Sequence, residues 1–598
     1  MNITRRYALL TASALAVAGC STATEMADPG SELGAFFEEQ FEAVVASSPE
    51  LATQLGDRRG YDRWDDETEA FAQAQLQRAR TAREFMLSHF DPARLTPGDR
   101  LSYRLFDMGV ARQEENWRWR NHGYIFNHHS GAQSNLPAFL INAHQVTNVA
   151  DAEAYVARLN GLRAKMDQLI ANSEAAAAQG IMPPRFSYEG TLSSSRNVIT
   201  GAPFTEEADS PLWDDFQSKV NALQIAQSDK DRLLAGGRAA LLNAVKPAYE
   251  RLISVLTAQQ ARAGVEDGAW KLPNGDEYYA ARLRLFTTTN MSADEIHNTG
   301  LAAVARIHEE MRAIMRQVYF TGDLAAFFQF METDPRFYVA DSPEGRADYV
   351  RQATAAIDAM RARLPQYFGR LPRAPLEVRP VEPFRERAAG LAFYERPAAD
   401  GSRPAIYYVN TFDVHAIPTY QLEALAYHEG IPGHHMQIAI AQELEGVPRF
   451  RRFLTFYTAY TEGWGLYAER LGKEMGGYQD PYSEFGRLVL ELRRAIRLVV
   501  DTGLHSKRWT RQQAIDYVLA NQPAGEREAG RDIGRYIVNP GQATAYMVGQ
   551  MEILRLREEA RAAMGARFSL SGFHDAVLAN GAVPLEVLGE LVREWSGA

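Results

Sequence analysis

Apolar residues recur at helical spacing along most of the chain, and this periodicity limits the fold more than any other feature. In the segment 294–320, six apolar residues fall near one face of a helix: Ile296, Leu301, Val304, Ile307, Met311 and Ile314. The main exception is the segment 390–413, where two aromatic, β-prone runs, 391–394 and 405–409, flank a turn rich in Pro, Asp and Gly. The sequence therefore predicts a mainly α fold with one small β-sheet or hairpin.

The size and charge of the chain restrict its class. Its 598 residues are several times the usual domain length, which allows a large core and a pocket between two lobes. The hydrophobic share of 46% and the charged share of 23% are typical of a globular protein rather than a disordered one. A net charge of -11 argues against a nucleic-acid partner, since phosphate contacts require a basic face.

The N-terminal residues indicate export. Arg5 and Arg6 precede an apolar run, residues 7–18, that is too short to span a bilayer and is typical of a signal peptide. The run ends in VAGC, which resembles a bacterial lipobox, and Cys20 is the only cysteine in the chain. The alternative is a secretory signal with an incidental cysteine. Lipidation of Cys20 explains more, since no second cysteine exists for a disulfide.

The predicted organisation follows from this signal. We expect a lipoprotein signal peptide at 1–19, a tether at 20–33 and one large helical domain at 34–598, with the chemistry in 390–560. Ser21 rather than Asp follows the cysteine, which by resemblance to lipoprotein sorting rules favours the outer membrane. The lipid anchor is the only membrane contact that we expect of this exported, periplasm-facing protein.

The segment AYHEGIPGHHMQ, residues 426–437, resembles the H-E-x-x-H helix of zinc peptidases with two residues inserted. In a straight helix His428 and His434 would lie roughly 240° and about 9 Å apart. His435 would share a face with His428 but stand about 10.5 Å along the axis, so neither pair could bind one ion. Pro432 breaks the helix between them, because its ring clashes with the carbonyl of residue 428. A two-residue bulge, permitted by the flanking glycines, would bring the second histidine back to the first.

A third metal ligand, Glu462, lies downstream on a second helix-like segment. Two histidines and a downstream glutamate are the ligand set of thermolysin-type catalytic zinc, which leaves a fourth position for water. We therefore predict a Zn²⁺ site formed by His428, His434 and Glu462, with His435 as the alternative second histidine. Glu429 would be the general base that accepts the proton of the water. The alternative is a metal-free surface cluster of histidines beside a helix-face carboxylate.

Four ordered motifs carry a resemblance to a known family: YHEGIPGHHMQ, YTEGWGLYAERL, LRRAIRLVVDTGLHSKRWTRQQAIDYV and GRYIVNPGQATAYMVGQMEILRLRE. Together they resemble the large bacterial family catalogued as domain of unknown function eight-eight-five. That family is distantly similar to thimet oligopeptidase, angiotensin-converting enzyme and carboxypeptidase Taq. The resemblance spans nearly all of the mature chain and implies a two-lobed helical fold with zinc deep in a cleft. It does not identify a substrate.

Helical peptidases of this kind use a Tyr or His to donate a hydrogen bond to the oxyanion of the tetrahedral intermediate. The C-terminal motifs offer three residues for this catalytic role: Tyr546, Tyr536 and His505. Each of them could equally be a buried aromatic residue whose polar group is satisfied by the protein. The choice among the three stays open at the level of sequence.

Substrate contacts are predicted in two places. The C-terminal carboxylate of a peptide could be bound through paired hydrogen bonds by three arginines: Arg497, Arg531 and Arg535. The alternative is that these arginines pair with surface acids, as arginines on helices more often do. By resemblance to other zinc peptidases, the predicted hairpin could lend a strand edge to an extended peptide. Three residues lie near the end of that strand: Tyr407, Tyr408 and Asn410.

These observations predict a lipid-anchored zinc metallopeptidase that hydrolyses peptide bonds in oligopeptides. One alternative is a zinc amidase or deacylase that acts on a non-peptide substrate, since the same activation of water would serve. The other is a non-catalytic lipoprotein that binds peptides. Retention of Glu429 argues against this second alternative, because a binding protein has no use for a general base.

Overall fold

The structure is a computed structural model that describes residues 29–382, 386, 390–398 and 403–597. The predicted signal peptide and Cys20 lie outside the described residues. The fold is mainly α, as the periodicity predicts. The helices of the first half are α1 Pro29–Ser47, α2 Pro49–Gln54, α3 Glu69–His89, α4 Pro97–Trp117, α5 Ala132–Asn142, α6 Val149–Ala178, α7 Arg185–Val198, α8 Pro211–Ala222, α9 Gln227–Ala240, α10 Lys246–Arg262, α11 Gly275–Thr287 and α12 Ala293–Gln317. Those of the second half are α13 Leu324–Thr333, α14 Pro343–Arg361, α15 Leu364–Tyr367, α16 Leu422–Glu429, α17 His434–Gln442, α18 Thr458–Glu474, α19 Pro481–His505, α20 Arg511–Asn521, α21 Glu526–Val538, α22 Ala545–Met564, α23 Leu570–Leu578 and α24 Leu585–Ser596.

Two boundaries bear on the predicted organisation. Helix α1 begins inside the predicted tether at 20–33, so the helical body starts earlier than the sequence indicates. No helix among the described residues is long and apolar enough to cross a membrane.

Helix α12 shows how the periodicity sets a buried face. The helix begins with a capping box, in which the Ser292 hydroxyl accepts from the Glu295 amide and the Glu295 carboxylate accepts from the Ser292 amide. Five of the six predicted apolar positions are buried. The prediction for Leu301 was wrong, because its side chain is 41% exposed. Position 301 is five residues after Ile296, which turns it roughly 140° away from the buried face.

A three-stranded sheet accompanies the helices, with β1 at Leu376–Pro380, β2 at Ala392–Glu395 and β3 at Ala405–Val409. Strands β2 and β3 pair antiparallel, which confirms the predicted hairpin. Strand β1 was not predicted; it pairs parallel with β3 on the other side, so that β3 is central. Its sequence, LEVRP, alternates little and ends in proline, which is tolerated at the edge of a sheet.

The buried apolar residues form two large clusters. One draws on residues 126–263, and the other is built mainly from residues 269–592, including α16 to α19 and α22. Within the second cluster α18 and α22 pack backbone to backbone at Gly463 and Gly549. A Cβ atom at position 549 would lie 1.8 Å from the carbonyl oxygen of Ala459, so this contact requires glycine. The contact joins the helix that carries Glu462 to the helix that carries Tyr546.

Candidate metal centre

The four-residue spacer GIPG, two residues longer than that of H-E-x-x-H, interrupts the helix between the two motif histidines. Helix α16 ends at Glu429, and α17 begins at His434 after a turn that contains a cis bond before Pro432. At position 433 a Cβ atom would lie 2.0 Å from the carbonyl oxygen of His428, so only glycine allows this turn. The chain therefore folds back on the end of α16 and brings His434 beside His428.

The structure brings His428, His434 and Glu462 together. The Nε2 atoms of both histidines lie 3.6 Å from the same Oε2 atom of Glu462, and the three ligand atoms lie within 4.8 Å of one another. Ligands that bind one tetrahedral zinc at about 2.1 Å are about 3.4 Å apart. Both histidines are buried, whereas 19% of the Glu462 side chain is exposed. This group of two histidines and one carboxylate could hold a metal ion.

A second carboxylate orients the first histidine. The Nδ1 atom of His428 lies 2.7 Å from Oε1 of Glu469, which is buried and lies 3.5 Å from the guanidinium of Arg494. This bond fixes the tautomer that leaves Nε2 free to bind a metal. Burial alone would lower the pKa of His428, but hydrogen bonds with Glu462 and Glu469 raise it to about 10. The two carboxylates thus stabilise the protonated ring, and in the neutral ring the bond to Glu469 holds the proton on Nδ1.

Glu429 follows His428 and lies at the edge of the group. Its side chain is half-buried and makes no hydrogen bond or ion pair with any described residue. Burial is the main cause of the raised pKa of Tyr407 on strand β3, followed by the charges of Tyr349 and Glu429. The Glu429 carboxylate therefore lies near the inner face of that strand. A carboxylate without a partner among the described residues, adjacent to a candidate metal ligand, is available to accept a proton.

His435 points away from this group. Its Nδ1 atom lies 3.3 Å from the hydroxyl of Tyr394 on β2, and burial lowers the pKa of the ring to about 4. The second histidine of the group is therefore His434, and the alternative with His435 does not match the structure. His434 and His435 differ by one position on the same helix, and adjacent residues on a helix point about 100° apart, so only one of them can face Glu462.

The structure separates the three residues predicted to stabilise an oxyanion. Both ring nitrogens of His505 bond to the backbone, with Nδ1 accepting from Ala269 and Nε2 lying 3.0 Å from the carbonyl of Tyr536. The expectation for His505 is corrected, because no donor remains on its ring. The hydroxyl of Tyr536 accepts from Arg497 and donates to Asp532 at 3.4 Å, so its proton is also engaged.

Tyr546 differs from these two residues. Its hydroxyl accepts from Arg535 at 3.3 Å, and no acceptor for its own proton lies among the described residues. The ring lies under the guanidinium of Arg497, at 4.6 Å, and that of Arg494, at 5.9 Å. Since Arg494 also contacts Glu469, a chain of contacts connects Tyr546 to His428.

A family model described as "Bacterial protein of unknown function (DUF885)" matches residues 49–592. The chain belongs to the DUF885 family. This match confirms the family resemblance carried by the four motifs. No curated protein matches the chain.

Solved structures resemble this DUF885 protein over nearly its whole length, among them the following two. The "putative lipoprotein" from Colwellia psychrerythraea is 29% identical with a TM-score of 0.88, and the match covers 96% of this chain and 100% of that one. A "putative lipoprotein of unknown function" from Shewanella oneidensis is 20% identical with a TM-score of 0.71, covering 94% and 99%. The second likeness shows the fold alone.

Two of the predicted substrate contacts in this DUF885 protein are corrected. Tyr408 packs with Ile406 on the outer face of β3 and stacks on Phe393 at 5.0 Å, whereas Tyr407 faces the helices. The Asn410 side chain bonds to backbone atoms at 386, 390 and 412, so it holds a loop. Because side chains alternate along a strand, only one of the two tyrosines could face the group. The edge strand beside α16 is β2 rather than the central β3.

Sequence reasoning missed Glu469, Arg494 and Tyr394. A signal for Glu469 was present, since it lies seven residues after Glu462 and therefore two turns along the same face of α18. Arg494 and Tyr394 carry no comparable signal, because they reach the group from a separate helix and from the sheet.

Proposed function

We propose that the protein is a zinc-dependent peptidase. The observation that carries the proposal is the convergence of two imidazole nitrogens and one carboxylate oxygen within 4.8 Å, with the unpaired Glu429 adjacent to one of them. This is the donor set of catalytic rather than structural zinc sites, which keep a position open for water. The exposed side of Glu462 is consistent with such a position.

His428, His434 and Glu462 would hold the ion, and Glu469 would keep the His428 ring in place. Zinc at this group would supply a Lewis acid that acidifies water and polarises the scissile carbonyl. Glu429 removes one proton as the water oxygen adds to the carbonyl carbon. It then returns that proton to the amine nitrogen as the C–N bond breaks.

Two further features support a peptide as substrate. Strand β2 pairs with β3 on one side only among the described residues, and it contacts α16. Its other edge could pair with an extended peptide through main-chain hydrogen bonds. Tyr546 would donate to the carbonyl oxygen of the substrate as that oxygen gains negative charge.

The proposal is tested by metal analysis and by incubation with a mixed peptide library. The wild-type protein should bind one zinc per chain and cleave peptides, whereas Glu429→Gln should keep the zinc and lose the activity. His428→Ala combined with His434→Ala should lose the zinc. Stoichiometric zinc in that double variant would show that the ion binds elsewhere and would overturn the assignment.

The same assay separates the two alternatives. A zinc amidase or deacylase would bind zinc and lose activity in Glu429→Gln, but it would cleave acylated small amides instead of library peptides. A peptide-binding lipoprotein would bind library peptides without cleavage, and Glu429→Gln would leave that binding unchanged.

We also propose that the protein is an exported lipoprotein anchored at Cys20. The lipobox-like VAGC sequence supports this, and the related structure from Colwellia psychrerythraea is described as a "putative lipoprotein". Ser21 favours the outer membrane, with the peptidase facing the periplasm.

A further inference from the structure

We propose that an arginine cluster beside Tyr546 binds the free C-terminal carboxylate of the substrate, so that the enzyme acts at the C-terminal ends of peptides. This inference rests on the proposed peptidase function and specifies its substrate class. The arginine cluster consists of five residues of α19 and α21: Arg493, Arg494, Arg497, Arg531 and Arg535.

Carboxylates only partly neutralise this cluster. Glu528 forms an ion pair with Arg493, and Glu469 lies 3.5 Å from Arg494. Asp532 lies within the field of Arg493, Arg497, Arg531 and Arg535 without forming an ion pair with any of them. Five positive side chains thus face three negative ones, and Glu469 is shared with a metal ligand. Excess positive charge at a half-buried place favours an anionic ligand.

Arg497 is the most constrained member of the cluster. It is 7% exposed, its Nε donates to the Tyr536 hydroxyl at 2.9 Å, and its Nη1 is buried without a partner among the described residues. A buried guanidinium without a carboxylate is costly in a protein that binds no anion. Because its Cζ atom lies 4.6 Å from the ring centre of Tyr546, we assign Arg497 as a positioning residue that also supplies charge.

Arg535 is the contact residue of the proposed subsite. Its Nη2 donates to Gln542 at 2.6 Å and to the Tyr546 hydroxyl at 3.3 Å, which fixes the guanidinium while the side chain stays half-exposed. No described carboxylate forms an ion pair with it, so its other N–H groups are available. Arg531, one turn earlier on α21, is exposed and adds positive charge at the same face.

The position of the subsite indicates that the peptide bond that is cut lies near the C-terminal end of the substrate. Tyr546 contacts Arg535 on one side and, through Arg494 and Glu469, is connected to His428 on the other. A carboxylate held by Arg535 therefore lies beside the residue that would meet the scissile carbonyl. A guanidinium binds a carboxylate through two parallel hydrogen bonds, and this geometry selects a chain end over a neutral amide.

The test uses pairs of oligopeptides that are identical except for a C-terminal carboxylate or carboxamide. A third peptide carries the carboxamide and a C-terminal Asp residue, so that an acidic side chain replaces the chain end. We expect wild-type kcat/KM to be about 10- to 100-fold higher for the free acid than for the amide. Arg535→Ala removes the contact with Tyr546 for both substrates, but it should lower kcat/KM for the free acid about 10- to 100-fold more than for the amide, because only the free acid loses an ion pair. Arg527→Ala removes an exposed arginine of the same helix and should preserve the preference.

Three results would overturn the inference. Equal cleavage of acid and amide by the wild type would show that the chain end is not recognised. An equal loss on both peptides in Arg535→Ala would show that this residue acts only through Tyr546. Efficient cleavage of the Asp-containing amide would assign the cluster to an acidic side chain instead.

Peptide binding to Glu429→Gln, measured by calorimetry, separates this inference from the peptidase proposal. If no peptide is cleaved by the wild type, the peptidase proposal fails. Preferential binding of the free acid, lost in Glu429→Gln combined with Arg535→Ala, would still support the carboxylate subsite. Equal binding of acid and amide would remove it.

Discussion

The imidazole of His428 and the carboxylate of Glu469 form a buried pair, with 2.7 Å between Nδ1 and Oε1. Glu469 is 1% exposed, and its Oε2 atom has no partner among the described residues. A carboxylate in this position holds the ring orientation and makes the opposite nitrogen a better ligand. Two glutamates of helix α18 therefore have different roles: Glu462 faces the proposed ion, and Glu469 orients the His428 ring.

Replacing this supporting carboxylate should weaken zinc binding. We expect Glu469→Gln to lower zinc affinity by about 10- to 100-fold, as is usual for outer-shell partners of metal ligands. Competition with a chelator measures the change. Glu491→Gln is the control, because Glu491 is equally buried and ion-paired but bonds to Arg487 and Arg306. An equal loss of zinc affinity in both variants would refute a specific role for Glu469.

Adding one methyl group at position 433 should damage both the fold and the metal centre. In Gly433→Ala the new Cβ would meet the His428 carbonyl at 2.0 Å, so the turn must move. We expect a loss of at least about 2 kcal/mol of stability and much weaker zinc binding. Gly109→Ala is the control, since nothing lies within 4 Å of its Cβ and alanine favours a helix interior. Zinc binding at wild-type strength in Gly433→Ala would contradict the need for this turn.

How much of the structure can be predicted from the sequence depends on whether the residues that contact each other are close together in the chain. The helix break at Pro432 and the approach of His434 to His428 depend on a few adjacent residues, and their geometry could be worked out from the sequence. The metal role of the group stays a prediction. The role of His505 could not be judged, because its partners Ala269 and Tyr536 are distant in the chain. Long-range contacts of this kind leave no periodic signal.

Buried Asp501 should make stability depend on pH. Burial raises the pKa of this carboxyl to about 7, although hydrogen bonds from Tyr279 and Gly541 oppose the shift. Because the pKa of Asp501 is raised in the folded protein, the protonated carboxyl makes its full contribution to the free energy of unfolding below the unfolded-state pKa of about 3.9. That contribution is lost as the pH rises through about 7. Asp501→Asn should therefore gain stability relative to the wild type between pH 4 and about 7.

Urea unfolding at several pH values measures this effect. The exposed Asp516→Asn should follow the wild-type curve. A constant stability difference between Asp501→Asn and wild type across this range would show that Asp501 titrates normally.

Removing the predicted lipid attachment site should release the protein. Cys20 is the only cysteine, and no described helix is long and apolar enough to span a membrane. We expect Cys20→Ala to move the protein from the membrane fraction to the soluble fraction, as detected by immunoblotting. Ser21→Ala keeps the cysteine and should stay with the membrane. Continued membrane association of Cys20→Ala would refute the lipoprotein proposal.

Tyr546→Phe tests the oxyanion role. Removing this hydroxyl takes away a donor that would act on the negative charge formed in the transition state. Loss of one such donor typically lowers kcat by about 10²–10³-fold, and KM should change little because the substrate carbonyl is uncharged. Tyr536→Phe is the matched control, since its hydroxyl is already engaged with Arg497 and Asp532. It should lose about 1 kcal/mol of stability and keep most of its kcat. The reverse pattern, with kcat preserved in Tyr546→Phe and reduced a hundredfold or so in Tyr536→Phe, would transfer the oxyanion role to Tyr536.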